Sequence, residues 1–324
     1  MEYRTLGNTG LSLSVLAFGT APLGDMFGPA DEKSALATVG TALDSGINFF
    51  DSSPYYGDGL AERRLGKALR THRQEVFIGT KAGRYKNDQF DFRPARIRES
   101  LERSLRLLKT DYVDILQLHD IEFVKLDEVF TESYPELVKL RDEGKVRFIG
   151  MTGYPMHALR RAATETRLDT VLSYAHYTLL NTQLSTDLIP VCNERGTGVI
   201  NAAAVSLGLL TASGSRFLHH PATDAIKSAA AGVTRYCQEL GVDVAFLANQ
   251  FSIQRSGAST TVVGTTTAEH LETAVRAAST PIDEQLLSKV LSRTAHVQKV
   301  SWLSGRMENN SGWISRSQVD AQRR

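Results

Sequence analysis

The sequence predicts a (β/α)8 barrel, in which eight parallel strands close on themselves and helices cover the outside. Three observations favour this fold. Short apolar segments alternate with amphipathic helical segments, eight such units follow one another, and no Pro-, Gly- or Ser-rich linker divides them. An open doubly wound sheet also fits the alternation, but eight consecutive units favour closure. We expect one barrel domain over residues 1–300 and a C-terminal tail over residues 301–324.

The predicted strands are nearly continuous apolar runs, which are typical of strands covered on both faces. They occupy residues 15–18, 47–51, 76–80, 112–119, 146–151, 170–174, 198–202 and 261–263. Ahead of the first strand, two short segments flank the turn sequence at residues 7–10, which predicts an N-terminal β-hairpin. We expect this hairpin to close one end of the barrel.

The helical segments between the strands have recognisable ends. The acidic pair Asp31-Glu32 opens the first helix, and Gly46 closes it. Another helix begins near Tyr134 and stops before Gly144, where glycine can adopt the left-handed cap conformation. A third shows apolar residues at steps of three or four, namely Ile97, Leu101, Leu105 and Leu108.

The composition excludes several classes of protein. Apolar residues make up 42% and the net charge is +1, so the chain is typical of a globular protein and has no electrostatic basis for binding nucleic acid or a membrane surface. Cys192 and Cys237 match no metal-ligand or redox spacing, so no metal site is predicted. Because no signal-like or membrane-spanning apolar run occurs, we expect a cytoplasmic protein. The sequence does not distinguish a monomer from a homo-oligomer.

Polar residues end three consecutive predicted strands. Asp51 ends the second strand and Tyr56 follows it, Lys81 follows the third strand, and His119 ends the fourth. In a barrel these strand ends meet at one mouth, where enzymes of this fold keep their active sites. Each residue alone has an ordinary explanation as a cap, a surface charge or a buried histidine. Together they predict an acid–base site without a metal.

A role can be assigned to each of these residues. A tyrosine hydroxyl has a pKa near 10, which is too high for easy proton exchange at neutral pH. Lys81 close to Tyr56 would lower that pKa, and Asp51 would hold the lysine in place and keep it protonated. His119 would orient a substrate oxygen. The hypothesis therefore assigns proton transfer to Tyr56.

The chain resembles the aldo-keto reductases over nearly its whole length. The resemblance is carried by residues 16–20, 51–57, 80–81, 118–120, 208–211 and 262–264. It implies a barrel that binds a nicotinamide cofactor and a hydride transfer that uses Asp51, Tyr56, Lys81 and His119. Within this family, residues 49–57, 119–123 and 172–177 are most similar to the L-galactose dehydrogenase group and to bacterial dehydrogenases of L-fucose and D-threo-aldoses. That group implies oxidation of a free aldose at its anomeric carbon to a lactone.

The resemblance also implies a cofactor site. Its residues would be Gly19, Thr20, Thr152, Gly153, Ser173, Tyr174, Leu207, Gly208, Gly264, Thr265, Thr266 and His270. Thr152-Gly153 departs from the Ser-Asn pair of many members, which puts one contact to the carboxamide in doubt. Gly264 and His270 stand where NADPH-dependent members commonly have a lysine or arginine for the 2′-phosphate. Since a phosphate without arginine loses charge-assisted hydrogen bonds, we predict NAD in preference to NADP.

Substrate contacts are predicted from loops after the first, fourth and fifth strands. They are Phe27, Asp120, Phe123 and Tyr154, which would combine aromatic walls with a polar group, as a small-molecule sugar site requires. Past Val300, Trp302 and Trp313 belong either to a frayed tail or to a flap. Two alternative functions stay open. One is an NAD(P)H-dependent reductase of small sugar aldehydes or pyridoxal-like substrates, and the other is a dinucleotide-sensing regulatory subunit.

Overall fold

A computed structural model describes residues 1–214 and 220–310 of the chain. At its centre, eight parallel strands form a closed barrel, which confirms the predicted fold class. The strands of the described residues, numbered in chain order, are β1 (Tyr3–Thr5), β2 (Ser12–Ser14), β3 (Leu16–Gly19), β4 (Phe49–Asp51), β5 (Phe77–Ala82), β6 (Arg84–Tyr85), β7 (Gln89–Phe90), β8 (Val113–Leu118), β9 (Val146–Gly153), β10 (Thr170–Tyr174), β11 (Gly198–Ala202) and β12 (Thr260–Val263).

Helices follow most of the barrel strands. The α-helices of the described residues are α1 (Glu32–Asp44), α2 (Leu60–Ala68), α3 (Pro94–Leu108), α4 (Leu126–Glu128), α5 (Tyr134–Asp142), α6 (Met156–Glu165), α7 (Ile189–Arg195), α8 (Asp224–Glu239), α9 (Val244–Arg255), α10 (Ala268–Ser279) and α11 (Glu284–Thr294). Asp31 caps α1 by accepting hydrogen bonds from the backbone N–H groups of Lys33 and Ser34, as its position before the helix predicts. No helix in these described ranges has both the length and the apolar character needed to cross a bilayer.

The order of strands around the barrel is β10-β11-β12-β3-β4-β5-β8-β9, and all neighbours are parallel. Their carboxyl ends therefore meet at a single mouth. Two strands run two residues further toward this mouth than the sequence predicts, β5 to Ala82 and β9 to Gly153. Lys81 and Thr152 consequently lie within strands rather than on loops.

The N-terminal hairpin β1–β2 closes the opposite end of the barrel, as predicted. Its side chains Leu6, Leu11 and Leu13 are buried in one apolar cluster with barrel residues such as Phe49 and Ile115. The turn of the hairpin approaches the start of β11 so closely that a side-chain carbon on residue 7 would lie 2.3 Å from the backbone nitrogen at position 198. Glycine is therefore required at residue 7, where φ is also +49°.

Two features at the mouth differ from the sequence predictions: a second short hairpin, and a C-terminal segment that packs on the barrel. The short hairpin β6–β7 extends from the end of β5. Residues 301–310, which we name the C-terminal strap, form hydrogen bonds with Glu122, after β8, and Tyr154, after β9. The Trp302 ring in this strap stacks on Tyr154 with 4.1 Å between centroids, so this part of the tail is docked. Trp313 lies outside the described residues.

Candidate active site

The paired side chains Asp51 and Lys81 form the base of the candidate site. Adjacent strands β4 and β5 align Asp51 with Gly79, two residues before Lys81, so both side chains point to the same side of the sheet. The ammonium Nζ of Lys81 donates to Oδ2 of Asp51 at 2.6 Å and to the carbonyl oxygen of Ser52 at 2.8 Å. Only 2% of the Lys81 side chain is exposed, so the ion pair lies inside the protein.

Tyr56 lies beside this pair. Nζ of Lys81 is 5.2 Å from the centroid of the tyrosine ring, and the ring of His119 meets it edge-on at 5.8 Å. The loop that carries Tyr56 packs directly on Gly24, where an added side-chain carbon would lie 2.5 Å from the Tyr56 backbone. The structure thus brings together the four residues that the sequence singled out.

The acid–base state of Tyr56 differs from the expectation. Burial raises the pKa of the Tyr56 hydroxyl, and the Lys81 ammonium opposes this rise without overcoming it. Lys81 does act to lower this pKa, as the sequence predicts, but burial is the larger effect and the pKa is raised overall. For Lys81 itself, burial acts to lower the pKa, but Asp51 and Tyr56 together outweigh it and the pKa is raised. The lysine therefore keeps its charge next to a protonated tyrosine.

His119 is neutral and oriented by a serine. Burial, with Lys81 and Arg84 nearby, lowers the pKa of His119 well below its usual value. Its Nδ1 lies 3.0 Å from Oγ of Ser53, and that oxygen already accepts the backbone N–H of Tyr55. The serine hydroxyl still has its own proton to donate, and when it donates to Nδ1 the imidazole proton is on Nε2. In this tautomer His119 can donate a hydrogen bond from Nε2 to a substrate oxygen.

Asp120 and Arg84 form a second charged pair next to His119. Nη1 of Arg84 donates to Oδ2 of Asp120 at 2.5 Å, and the guanidinium lies 4.0 Å from the centroid of the Tyr55 ring. The same carboxylate oxygen is 3.7 Å from Nε2 of His119. Sequence reasoning missed Arg84, although it stands only three residues after Lys81 and could have been found as a cation following the same strand end.

The residues predicted for substrate contact occupy different environments. Phe27 is 77% exposed on the loop after β3. Phe123 stacks against Phe90 with 4.3 Å between ring centroids, at the edge of the β6–β7 hairpin. Tyr154 is fully buried, and its ring stacks on Trp302 of the strap.

Comparison with known proteins identifies the family. The sequence pattern of the aldo/keto reductase family matches residues 15–292. The chain belongs to the aldo/keto reductase family. It is 42% identical over 320 residues to L-galactose dehydrogenase of Arabidopsis thaliana, covering 95% of this chain and 99% of that protein. It is 32% identical over 283 residues to D-threo-aldose 1-dehydrogenase of a Pseudomonas species, covering 79% of this chain and 86% of that protein.

The barrel also matches solved structures of aldo/keto reductases. An aldo-keto reductase of Bacillus halodurans in its holo form superimposes with a TM-score of 0.75, covering 96% of this chain and 100% of that one, at 23% identity. This likeness supports the fold. As a member of the family, the chain is an oxidoreductase that uses a nicotinamide cofactor.

The remaining strand ends fit such a cofactor. The residues predicted to bind it lie at the ends of β3, β9, β10, β11 and β12 or in the loops that follow these strands, and His270 lies in the first turn of α10. These five strands are neighbours in the barrel. Within the described residues, the N-cap Thr267 makes no side-chain hydrogen bond to α10. The amide donors of the first turn are therefore available to an anionic group.

Proposed function

We propose that this aldo/keto reductase is an NAD-dependent aldose 1-dehydrogenase, which oxidises the anomeric carbon of a free L-galactose-like or L-fucose-like sugar to its lactone. The observation that carries the proposal is the meeting of Tyr56 and His119 above the buried Asp51–Lys81 pair. The sequence similarity to two aldose dehydrogenases supports the substrate class.

The proposal gives each residue a role. His119 donates from Nε2 to the C1 oxygen of the sugar, and Tyr56 removes the proton of that hydroxyl. A bound nicotinamide cofactor would supply the hydride acceptor, so that loss of the hydride and of the hydroxyl proton would turn the C1–OH group into the lactone carbonyl. In this direction Tyr56 acts from its phenolate form, which Lys81 stabilises and which becomes the phenol when the proton is accepted; Asp51 keeps Lys81 charged and positioned.

The loop after β12 supports NAD over NADP. No lysine or arginine occurs between Val263 and Arg276. The first turn of α10 instead presents Glu269 and His270. A 2′-phosphate at this helix would lack a bidentate arginine and would lie near a carboxylate, whereas a ribose hydroxyl would not be repelled.

A second candidate, reduction of an aldehyde, is favoured by one observation. Because burial raises the pKa of Tyr56, the residue is protonated at neutral pH in the absence of ligands. A protonated phenol is the form needed to donate a proton to a carbonyl oxygen. The same four residues would then run the reaction in reverse, with small sugar aldehydes or pyridoxal-like compounds as substrates.

One assay tests the proposal. The purified protein is given NAD or NADP with L-galactose, L-fucose, D-arabinose, L-glucose or pyridoxal, and formation of the reduced cofactor is followed by its absorbance. We expect lactone formation from at least one aldose, with kcat/KM at least about tenfold higher with NAD than with NADP. Equal or higher efficiency with NADP would contradict the cofactor assignment. Efficient aldehyde reduction without aldose oxidation would favour the second candidate, and cofactor binding without turnover would favour a sensor.

A further inference from the structure

We infer that Asp120 is a specificity-determining residue that binds the sugar hydroxyl next to the reacting carbon, so that the enzyme selects 2-hydroxy aldoses over their 2-deoxy counterparts. The inference rests on the proposed function, because it places the C1 oxygen of an aldose on His119. It deepens that function by naming the part of the sugar that the protein recognises.

The spacing of two polar atoms is the first reason. Nε2 of His119 and Oδ2 of Asp120 are 3.7 Å apart, which is too long for a hydrogen bond between them. Nε2 of His119 is the donor and Oδ2 of Asp120 is the acceptor. The two residues are consecutive and follow the end of β8. Hydroxyl oxygens on neighbouring sugar carbons lie close enough together to engage both atoms at once. A ligand with only one oxygen would leave that acceptor position of the carboxylate unfilled.

The carboxylate is held rigidly in this position. Asp120 has a φ of +57°, and its backbone N–H donates to Oγ1 of Thr152 at 3.0 Å. Arg84 fixes the side chain through the 2.5 Å contact to Oδ2. The guanidinium is itself fixed by stacking on Tyr55 and by an ion pair with Asp88. A carboxylate fixed in advance loses little conformational freedom when it binds a hydroxyl.

The carboxylate also has acceptor capacity to spare. Its two oxygens offer about four acceptor positions when ionised. In the described residues its side-chain partners are Arg84 and, at 3.4 Å, Thr152. Asp120 is 3% exposed and His119 is 5% exposed, so both side chains present a small accessible face to a ligand. A hydroxyl donor on a bound sugar would fill one of the remaining acceptor positions.

A purely structural role is the competing explanation, since Asp120 also anchors the β6–β7 hairpin through Arg84. The two roles differ in their effect on substrate selection. Losing an anchor would reduce activity toward all substrates alike, whereas losing a hydroxyl acceptor would reduce it only for substrates that carry the hydroxyl.

The experiment measures kcat/KM with NAD for L-galactose and for 2-deoxy-L-galactose. For the wild type we expect a preference of roughly 100-fold for L-galactose, the size of a buried hydrogen bond to a charged group. Asp120→Asn keeps the shape and should reduce this preference to below about tenfold. Asp120→Leu removes both the acceptor and the partner of Arg84, so it should abolish the preference whatever its effect on the absolute rate. The matched control is Asp91→Asn, which alters an acid paired with the exposed Arg93 and should leave the preference unchanged.

Two outcomes would overturn the inference while leaving the proposed function intact. One is a wild type that oxidises both sugars equally well. The other is an Asp120→Asn variant that loses efficiency toward both sugars by the same factor, which would identify the residue as an anchor. A wild type that oxidises no aldose at all would instead overturn the proposed function, and this inference with it.

Discussion

The mouth of the barrel has two unlike halves. The ends of β4, β5 and β8, which we call the charged arc, carry Asp51, Lys81 and His119. The ends of β9, β10, β11, β12 and β3, which we call the open arc, carry glycines, hydroxyl residues and an uncapped helix N-terminus. The charged arc is buried and internally paired, whereas Gly264 and His270 of the open arc are exposed.

The difference follows from what each half must bind. A buried charge is tolerated only when a partner compensates its desolvation, so the charged arc has to be assembled in advance of any ligand. A dinucleotide is long and anionic, and backbone amides and hydroxyls suit it without a buried ion pair. Substitutions in the charged arc should therefore change the rate strongly, while those in the open arc should change cofactor choice mildly.

Lys81→Met should give the largest effect in this comparison. We expect kcat/KM for aldose oxidation at neutral pH to fall roughly 1,000-fold. Without the ammonium, the pKa of Tyr56 rises further, so the rising limb of the pH–rate profile should move to higher pH. A pH series from neutral to alkaline buffers checks this. The control is Lys67→Met, which removes an exposed lysine, and an unchanged profile in Lys81→Met would refute the coupling.

Ser53→Ala should have an intermediate effect. Without the hydroxyl, Nδ1 of His119 loses the partner that favours the proton on Nε2. We expect kcat to fall roughly 10- to 100-fold, an effect of the size of one hydrogen bond or slightly more. Ser53→Thr retains the hydroxyl and should recover most of the activity. If the alanine and threonine variants were equally impaired, a packing role would explain the serine better.

His270→Arg in the open arc should have the smallest effect. The new guanidinium lies in the first turn of α10, where it could pair with a 2′-phosphate. We expect kcat/KM with NADP to rise several-fold, in line with an exposed ion pair of about 1 kcal/mol, while NAD changes little. His157→Arg, the same change in α6, is the matched control. If kcat/KM with NADP did not rise in His270→Arg, the 2′ position of the cofactor's adenosine ribose would bind away from this helix.

Much of this arrangement could be predicted from the sequence. Strands that are covered on both faces are continuous apolar runs in the sequence, so a polar residue at the end of such a run stands out. Asp51, Lys81 and His119 were predicted to lie together for this reason. The β6–β7 hairpin escaped prediction because strands of two residues show no periodicity. Arg84 therefore went unrecognised, since its role depends on a contact with Asp120 that lies 36 residues away.

Two further features depend on contacts that no local pattern reveals. Tyr154 was expected at the mouth, but Trp302, 148 residues later in the chain, covers it. The protonation of Tyr56 depends on how much burial outweighs the charge of Lys81, and both are properties of the folded site. Residue type and spacing predicted the members of the site, whereas their electrostatic balance required the structure.

The most direct test of the central claim compares Tyr56→Phe with the wild type. Steady-state oxidation of the best aldose gives the rate, and titration of the protein's fluorescence with NAD gives the dissociation constant. Removing only the phenol hydroxyl should lower kcat at least about 1,000-fold and leave the dissociation constant within about threefold. A variant that retains oxidation within about tenfold of the wild-type rate would contradict proton transfer by Tyr56.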